Sequence, residues 1–154
     1  MADILVVGEI LEGDLRSNTL SAVAFAKQVA EGTSGTFDLL VIGDGADRAA
    51  ETAAKYGARK VLKAQVDGGY LAEKYAATVA EVSKSGDYDI VTSAAGTTGK
   101  DLMPRVAAKL EAGVASDIAS VAVDGDQLVY RRPMYAGNIF GYCTVRSDVQ
   151  VVTV

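Results

Sequence analysis

A chain of 154 residues, 49% apolar and 23% charged, has the size and make-up of one ordinary globular domain. Its net charge of −5 argues against nucleic acid as a partner, because no basic stripe is left to neutralise phosphates. With no histidine and one cysteine, Cys143, it can build no Ser-His-Asp or Cys-His centre, no internal disulfide and no cysteine-ligated metal site.

Asp3-Ile4-Leu5-Val6-Val7-Gly8 is a near-continuous apolar run, as expected of a strand covered on both faces. Strand-like residues begin at Ile4, which leaves no room for a targeting peptide, and no run of about eighteen apolar residues follows. These two features predict a cytoplasmic protein without a membrane span. A polar connection, Glu9 to Asn18, leads to a helix over Thr19 to Ala30 with Ala22, Phe25, Ala26 and Val29 inward. Phe37 to Ile42 reads as the second strand. Gly43-Asp44-Gly45 then opens a helix from Ala46 to Tyr56, whose Ala50, Ala53 and Ala54 suit close docking on a sheet. Gly43-Asp44-Gly45 also imitates the start of a dinucleotide fingerprint. Arg48 stands where the third glycine should be, so the reading is a plain turn before a helix. Gly57 is a helix stop.

Arg59 to Ala64 is a third strand, flanked by charge and therefore placed at an edge. A helix over Tyr70 to Ser83 carries Leu71, Tyr75, Val79 and Val82 on one stripe. Asp87 to Thr92 supplies the fourth strand. Strand and helix thus alternate three times, which argues for a parallel sheet between layers of helices. After Leu110 the rhythm changes. Gly113 and Ser116-Asp117 read as turns, and Ile118–Val123, Gln127–Arg132, Ile139–Val145 and Gln150–Val154 as strands, with Asp124-Gly125-Asp126 a hairpin signal. The expected architecture is one α/β three-layer sandwich over residues 1–154. Its sheet is mostly parallel, with antiparallel strands added at the C-terminal end. Cys143 falls among apolar residues and is read as a buried structural thiol.

Between the fourth strand and the next helix lies the most distinctive stretch, Ala94 to Leu110. Met103, Val106, Ala107 and Leu110 mark the buried face of that helix. Thr98 is expected to cap it, with Asp101 three residues on, and Asp101 and Arg105 are spaced to pair. Pro104 either kinks the helix or marks its true start. A glycine-bearing loop into a helix N-terminus suits an anion. The phosphate-loop pattern nevertheless fails, because Ala94 replaces its first glycine and Asp101 its magnesium-binding hydroxyl. Ala95, Gly96, Thr97, Thr98 and Gly99 are the candidate cofactor-contacting residues, set against the plainer reading of a tight strand-to-helix turn. If the fourth strand returns beside the first, this loop and the loop after Gly8 flank the crevice at the switch point. No constellation of carboxylates, Lys, Tyr or Ser marks a catalytic site, so no catalytic residue and no metal ligand is assigned.

Two segments taken together carry a family resemblance. Ala95-Gly96-Thr97-Thr98-Gly99-Lys100-Asp101-Leu102-Met103-Pro104-Arg105-Val106-Ala107 followed by Ser116-Asp117, and Arg132-Pro133-Met134-Tyr135-Ala136-Gly137-Asn138, resemble the alpha subunit of electron transfer flavoprotein. The opening Ile4 to Val7 and Leu15 to Ala24 fit that family's start, so the resemblance covers essentially the whole chain. It implies the N-terminal domain of that subunit, a Rossmann-like, adenine-nucleotide-hydrolase-like sheet of order 3-2-1-4-5. It also implies a beta subunit as partner, and FAD in the complete heterodimer but not on this chain alone. AMP is then a candidate ligand of the partner subunit. Electrons would pass from dehydrogenases to a quinone-linked oxidoreductase through the full complex. The family's C-terminal FAD domain is expected to be absent here, and no flavin-binding residue is carried over. Arg105, Arg132, Met134, Tyr135, Asn138 and Phe140 are the interface candidates. The alternative is a free-standing adenine-nucleotide-binding domain of the universal-stress type, with AMP or ATP in its own pocket.

Overall fold

Apolar strands without a polar face need cover on both sides, and the computed structural model, which describes all 154 residues, provides it. The chain opens with β1 (Asp3–Gly8), a short hairpin of β2 (Ile10–Leu11) and β3 (Asp14–Leu15), and α1 (Thr19–Thr33). Then come β4 (Thr36–Ile42), α2 (Ala46–Ala53) closing in a 3-10 turn over Ala54–Tyr56, and β5 (Val61–Ala64). Next are α3 (Ala72–Ser85), β6 (Ile90–Ser93), α4 (Thr97–Leu110) and β7 (Gly113–Ala115). The final strands are β8 (Ser120–Asp124), β9 (Gln127–Met134), β10 (Ile139–Cys143) and β11 (Gln150–Thr153).

One sheet of six strands runs β5-β4-β1-β6-β11-β7, and every pairing in it is parallel. Counted along the chain, its strands begin 3-2-1-4, as expected. The C-terminal β11 then lies against β6, and β7 takes the far edge. The antiparallel strands form a sheet of their own, β10-β9-β8, so the main sheet is wholly parallel and not mixed. β11 belongs in the body because Val151, Val152 and Thr153 are buried on both sides, which an edge position would not allow.

Alternation along the strands divides the core in two. Ile4, Val6, Leu39 and Val41 pack towards α1 and α2, together with residues of β8 and β9. Leu5, Val7, Leu40 and Ile42 pack towards α3 and α4. The antiparallel sheet is pinned on α1: the Phe25 and Tyr130 rings lie 6.3 Å apart, and Gln28 Nε2 donates to the Val121 carbonyl at 2.8 Å. The Tyr130 hydroxyl, at 2.6 Å from Gln150 Oε1, ties the same sheet to β11.

Several local expectations change. In α2 it is Ala46, Ala49 and Ala53 that are buried, while Ala54 is exposed, because the α-helix gives way to a 3-10 turn there and the face rotates. In α3 the small Ala72 and Ala76 join Val79 at the sheet; Leu71 precedes the helix in an extended conformation and stays exposed. Gly113 opens a strand and does not form a turn. Thr98 does not cap α4: Gly96 is the N-cap, with extended backbone and no side-chain cap bond, and Thr98 lies inside the first turn. Pro104 is interior to α4 on its exposed face, where water can satisfy the carbonyl it leaves free. Cys143 is half-buried, packed against the α1-side core but not enclosed by it.

Candidate functional site

In an open parallel sheet the crevice lies beyond the carboxyl ends of the strands where the winding reverses. Here β1 has β4 on one side and β6 on the other. The connections leaving β1 and β6 therefore separate, and between them opens a cleft of about 240 Å³. Val7, Ile42 and Leu102 form its apolar floor, and Gly8, Ser93, Thr98 and Gly99 its walls. Gly99 is a packing glycine: a Cβ there would overlap the Ala94 carbonyl oxygen, so only glycine lets α4 start this close to the loop.

Glu9, the first residue after β1, lies at this helix start. Its side chain is 7% exposed, and its Oε2 accepts from Arg16 Nη1 at 3.0 Å and Asn18 Nδ2 at 3.0 Å. Its own amide donates to Thr19 Oγ1 at 3.1 Å, so the head of α1 fixes the residue. Oε1 is buried without a hydrogen-bond partner. Glu12 and Asp44 stand on the rim, where both are exposed. Tyr70 and Tyr75 also line the cleft and meet edge to face, ring centroids 5.1 Å apart, and the Tyr70 hydroxyl donates to Asp101 at 2.8 Å. Burial, then that bond to Asp101, pushes the Tyr70 hydroxyl well above the ordinary phenol range. Burial and the Asp44 charge push Tyr75 up as well.

The chemistry of this donor set decides what fits. Glu9, Glu12 and Asp44 line the cleft, and no Lys or Arg does. A dinucleotide pyrophosphate would meet carboxylates, of which only Glu9 has a cation beside it in Arg16, and no basic side chain in the lining to pair with. The volume also falls below the roughly 300–1,000 Å³ of sites that enclose a drug-sized ligand. The residues present do not fit FAD.

Of the candidate loop, Thr98 and Gly99 line the cleft; Ala95, Gly96 and Thr97 do not. The interface candidates fall into two places. Arg105 lies on the open face of α4, 3.1 Å from Glu73 Oε1 and 3.8 Å from Asp101 Oδ1, so it bridges α3 and α4 and does not reach Arg132 to Asn138. Arg132 is half-buried, its Nη2 3.0 Å from Ser116 Oγ. Met134, Tyr135, Asn138 and Phe140 gather at the exposed tip of the β9–β10 hairpin, where Arg131 stacks 3.4 Å from the Phe140 ring centre. Ile139, on the Met134 face of the hairpin, and Tyr142, on the Phe140 face, are exposed as well. Sequence reasoning missed Glu9, Tyr70 and Tyr75. For Glu9 the signal was its place directly after the first strand, at the end where crevices form.

A parallel sheet wound 3-2-1-4 with a crevice between its first and fourth strands defines a doubly wound α/β protein, here with an acidic cleft. The chain belongs to the electron transfer flavoprotein family: the model of the electron transfer flavoprotein domain matches residues 4–154. It is similar to the electron transfer flavoprotein subunit alpha of Paracoccus denitrificans, 38% identical over 155 residues that cover 98% of this chain and 47% of that protein. The same-named protein of Bacillus subtilis (strain 168) is 34% identical over 141 residues, 89% of this chain and 42% of its own length. A mitochondrial subunit alpha of Arabidopsis thaliana is 34% identical over 92% of this chain and 39% of its own length. The chain therefore spans less than half the length of these relatives. No helix is long and apolar enough to cross a membrane.

Proposed function

We propose that residues 1–154 act as the N-terminal α/β domain of an electron transfer flavoprotein alpha subunit, in a heterodimeric FAD-containing carrier that runs between dehydrogenases and a quinone-linked acceptor in the cytoplasm. In this reading the chain contributes shape and contact, and neither a redox group nor a catalytic residue. The beta subunit is its partner, FAD is held elsewhere in the complex, and AMP is a candidate ligand of that partner.

The observation that supports it is the hairpin tip. Tyr135 is 75% and Tyr142 70% exposed, with Met134, Ile139 and Phe140 exposed beside them. Aromatics and methionine collected on one projecting element match the composition of interface cores. Arg132 and Asn138 are the polar members proposed for the same contacts, whereas Arg105, on the α3–α4 face, would serve a separate one. The universal-stress alternative needs a pocket that accepts nucleotide phosphates, and the carboxylates of Glu9, Glu12 and Asp44 oppose that.

Hydrogen exchange tests the docking role. Amides from Tyr130 to Thr144 are expected to gain protection when the beta subunit is added to the chain; equal protection with and without it would place docking elsewhere. The purified chain is also expected to be colourless. A flavin absorption band with near-stoichiometric FAD would overturn that part of the reading.

A further inference from the structure

The first amides of a helix have no carbonyl partner within it and attract negative charge. In α4 the first intrahelical bond of this turn is Lys100 N–H to the Gly96 carbonyl at 2.9 Å, and no side chain caps the end. In the fold class this is a place for a ligand anion. Here it has a neighbour of its own. A Cβ added to Gly96 would lie 3.3 Å from Glu9 Oε1 and 3.0 Å from Asn18 Nδ2, so the Glu9 carboxylate stands beside the start of α4. That carboxylate is buried, and Arg16 and Asn18 hold its other oxygen while Oε1 has no hydrogen-bond partner.

We propose that Glu9 determines what the cleft accepts: its buried carboxylate holds a fixed negative charge beside the uncapped N-terminus of α4, without bonding to it, so the cleft refuses phosphate monoesters such as a nucleoside monophosphate. The cost of burying a carboxylate is offset by Arg16, Asn18 and the positive end of the helix. A second anion brought to the same turn would sit within a few ångströms of the first, in a place poorly screened by water. Replacing the charge by a neutral group of the same shape leaves the helix end, the Gly99 approach and the apolar floor intact, and so exposes an anion site. The proposal deepens the reading above, in which this domain holds no nucleotide. It is tested without any partner subunit, so either can fail alone.

The test is an amide NMR titration of the full chain with inorganic phosphate and with AMP. The unaltered protein is expected to show no saturable shift at Thr97 to Gly99 in the millimolar range. Glu9→Gln is expected to gain saturable shifts at those amides, with affinity raised at least tenfold for both probes. Glu9→Ala is expected to gain them too. Glu12→Gln, which removes a rim charge away from the helix end, is expected to gain little. Saturable phosphate shifts at Thr97 to Gly99 in the unaltered protein would overturn the proposal whether or not any variant folds. So would folded Glu9 variants that gain nothing, a gain in Glu12→Gln equal to that in Glu9→Gln, or shifts confined to the neighbourhood of Arg16, which the substitution frees.

Discussion

At the scale of single residues, stability and ligand chemistry are separated in space. Asp38, its side chain 1% exposed, is buried in β4 far from the cleft in charge balance and in partners. It accepts from Arg59 Nε at 3.0 Å and Nη2 at 2.8 Å, from the Tyr88 hydroxyl at 2.6 Å and from the Lys60 amide at 3.0 Å. Burial alone would raise its pKa. The bonds from Arg59 and Tyr88, with the Arg59 charge, outweigh that and hold it below the ordinary 3.8. A carboxylate with a lowered folded pKa stabilises the fold above its unfolded pKa, and that stability is lost as pH falls through the folded value. Asp38→Asn should therefore cost about 2 kcal/mol near neutral pH, less than a fully buried ion pair because Arg59 stays half in water. The same variant should flatten the acid limb of the stability curve below about pH 4. Urea melts across that range check both; an unchanged acid limb would show that other carboxylates set it.

At the scale of elements, legibility follows how local the determining interaction is. The first four parallel strands and the three helices between them were readable because each carries its own period and its own stops, as with the continuous Leu39 to Ile42 and the left-handed Gly57. β7 was not, since three residues opening on Gly113 have no period to detect. Nor was the insertion of β11 between β6 and β7, because burial on both faces names a central strand without naming its neighbours. The Gly96 cap was missed for Thr98 because a hydroxyl near a helix start satisfies the general rule, while here tertiary packing fixes the entry. The cleft was half legible: both flanking loops were placed, but the meeting of Glu9 with the α4 turn is a contact between residues far apart in the chain. Gly99 shows what such contacts demand. Gly99→Ala should push α4 off the Ala94 carbonyl and destabilise by about 3 kcal/mol, at the upper end for overpacking, since backbone must move. A denaturant midpoint unchanged from the parent protein would mean the loop yields freely.

At the scale of the whole molecule, the two ends of the design point to different uses. The cleft end sets three carboxylates around an apolar floor, whereas the hairpin projects apolar side chains that nothing in this chain covers. The alternative is that these side chains serve the domain's own core; their exposure argues against it for all but Phe140, which has Arg131 on its ring. Tyr135 separates folding from docking most cleanly. Its φ is +50°, a left-handed conformation that asparagine tolerates better than a tyrosine does. Ala136 at +55° and Gly137 at +85° continue the same turn, and Asn138 Nδ2 braces it with a 2.7 Å bond to the Tyr135 carbonyl. Tyr135→Asn should thus leave thermal stability unchanged or slightly raised. In the same variant, affinity for the beta subunit should fall about tenfold, the loss expected when an aromatic anchor leaves an interface centre. Paired melting and binding measurements on one preparation decide the matter. Lost stability with intact affinity would assign the tyrosine to the fold, and unchanged affinity with unchanged stability would move the docking surface off this hairpin.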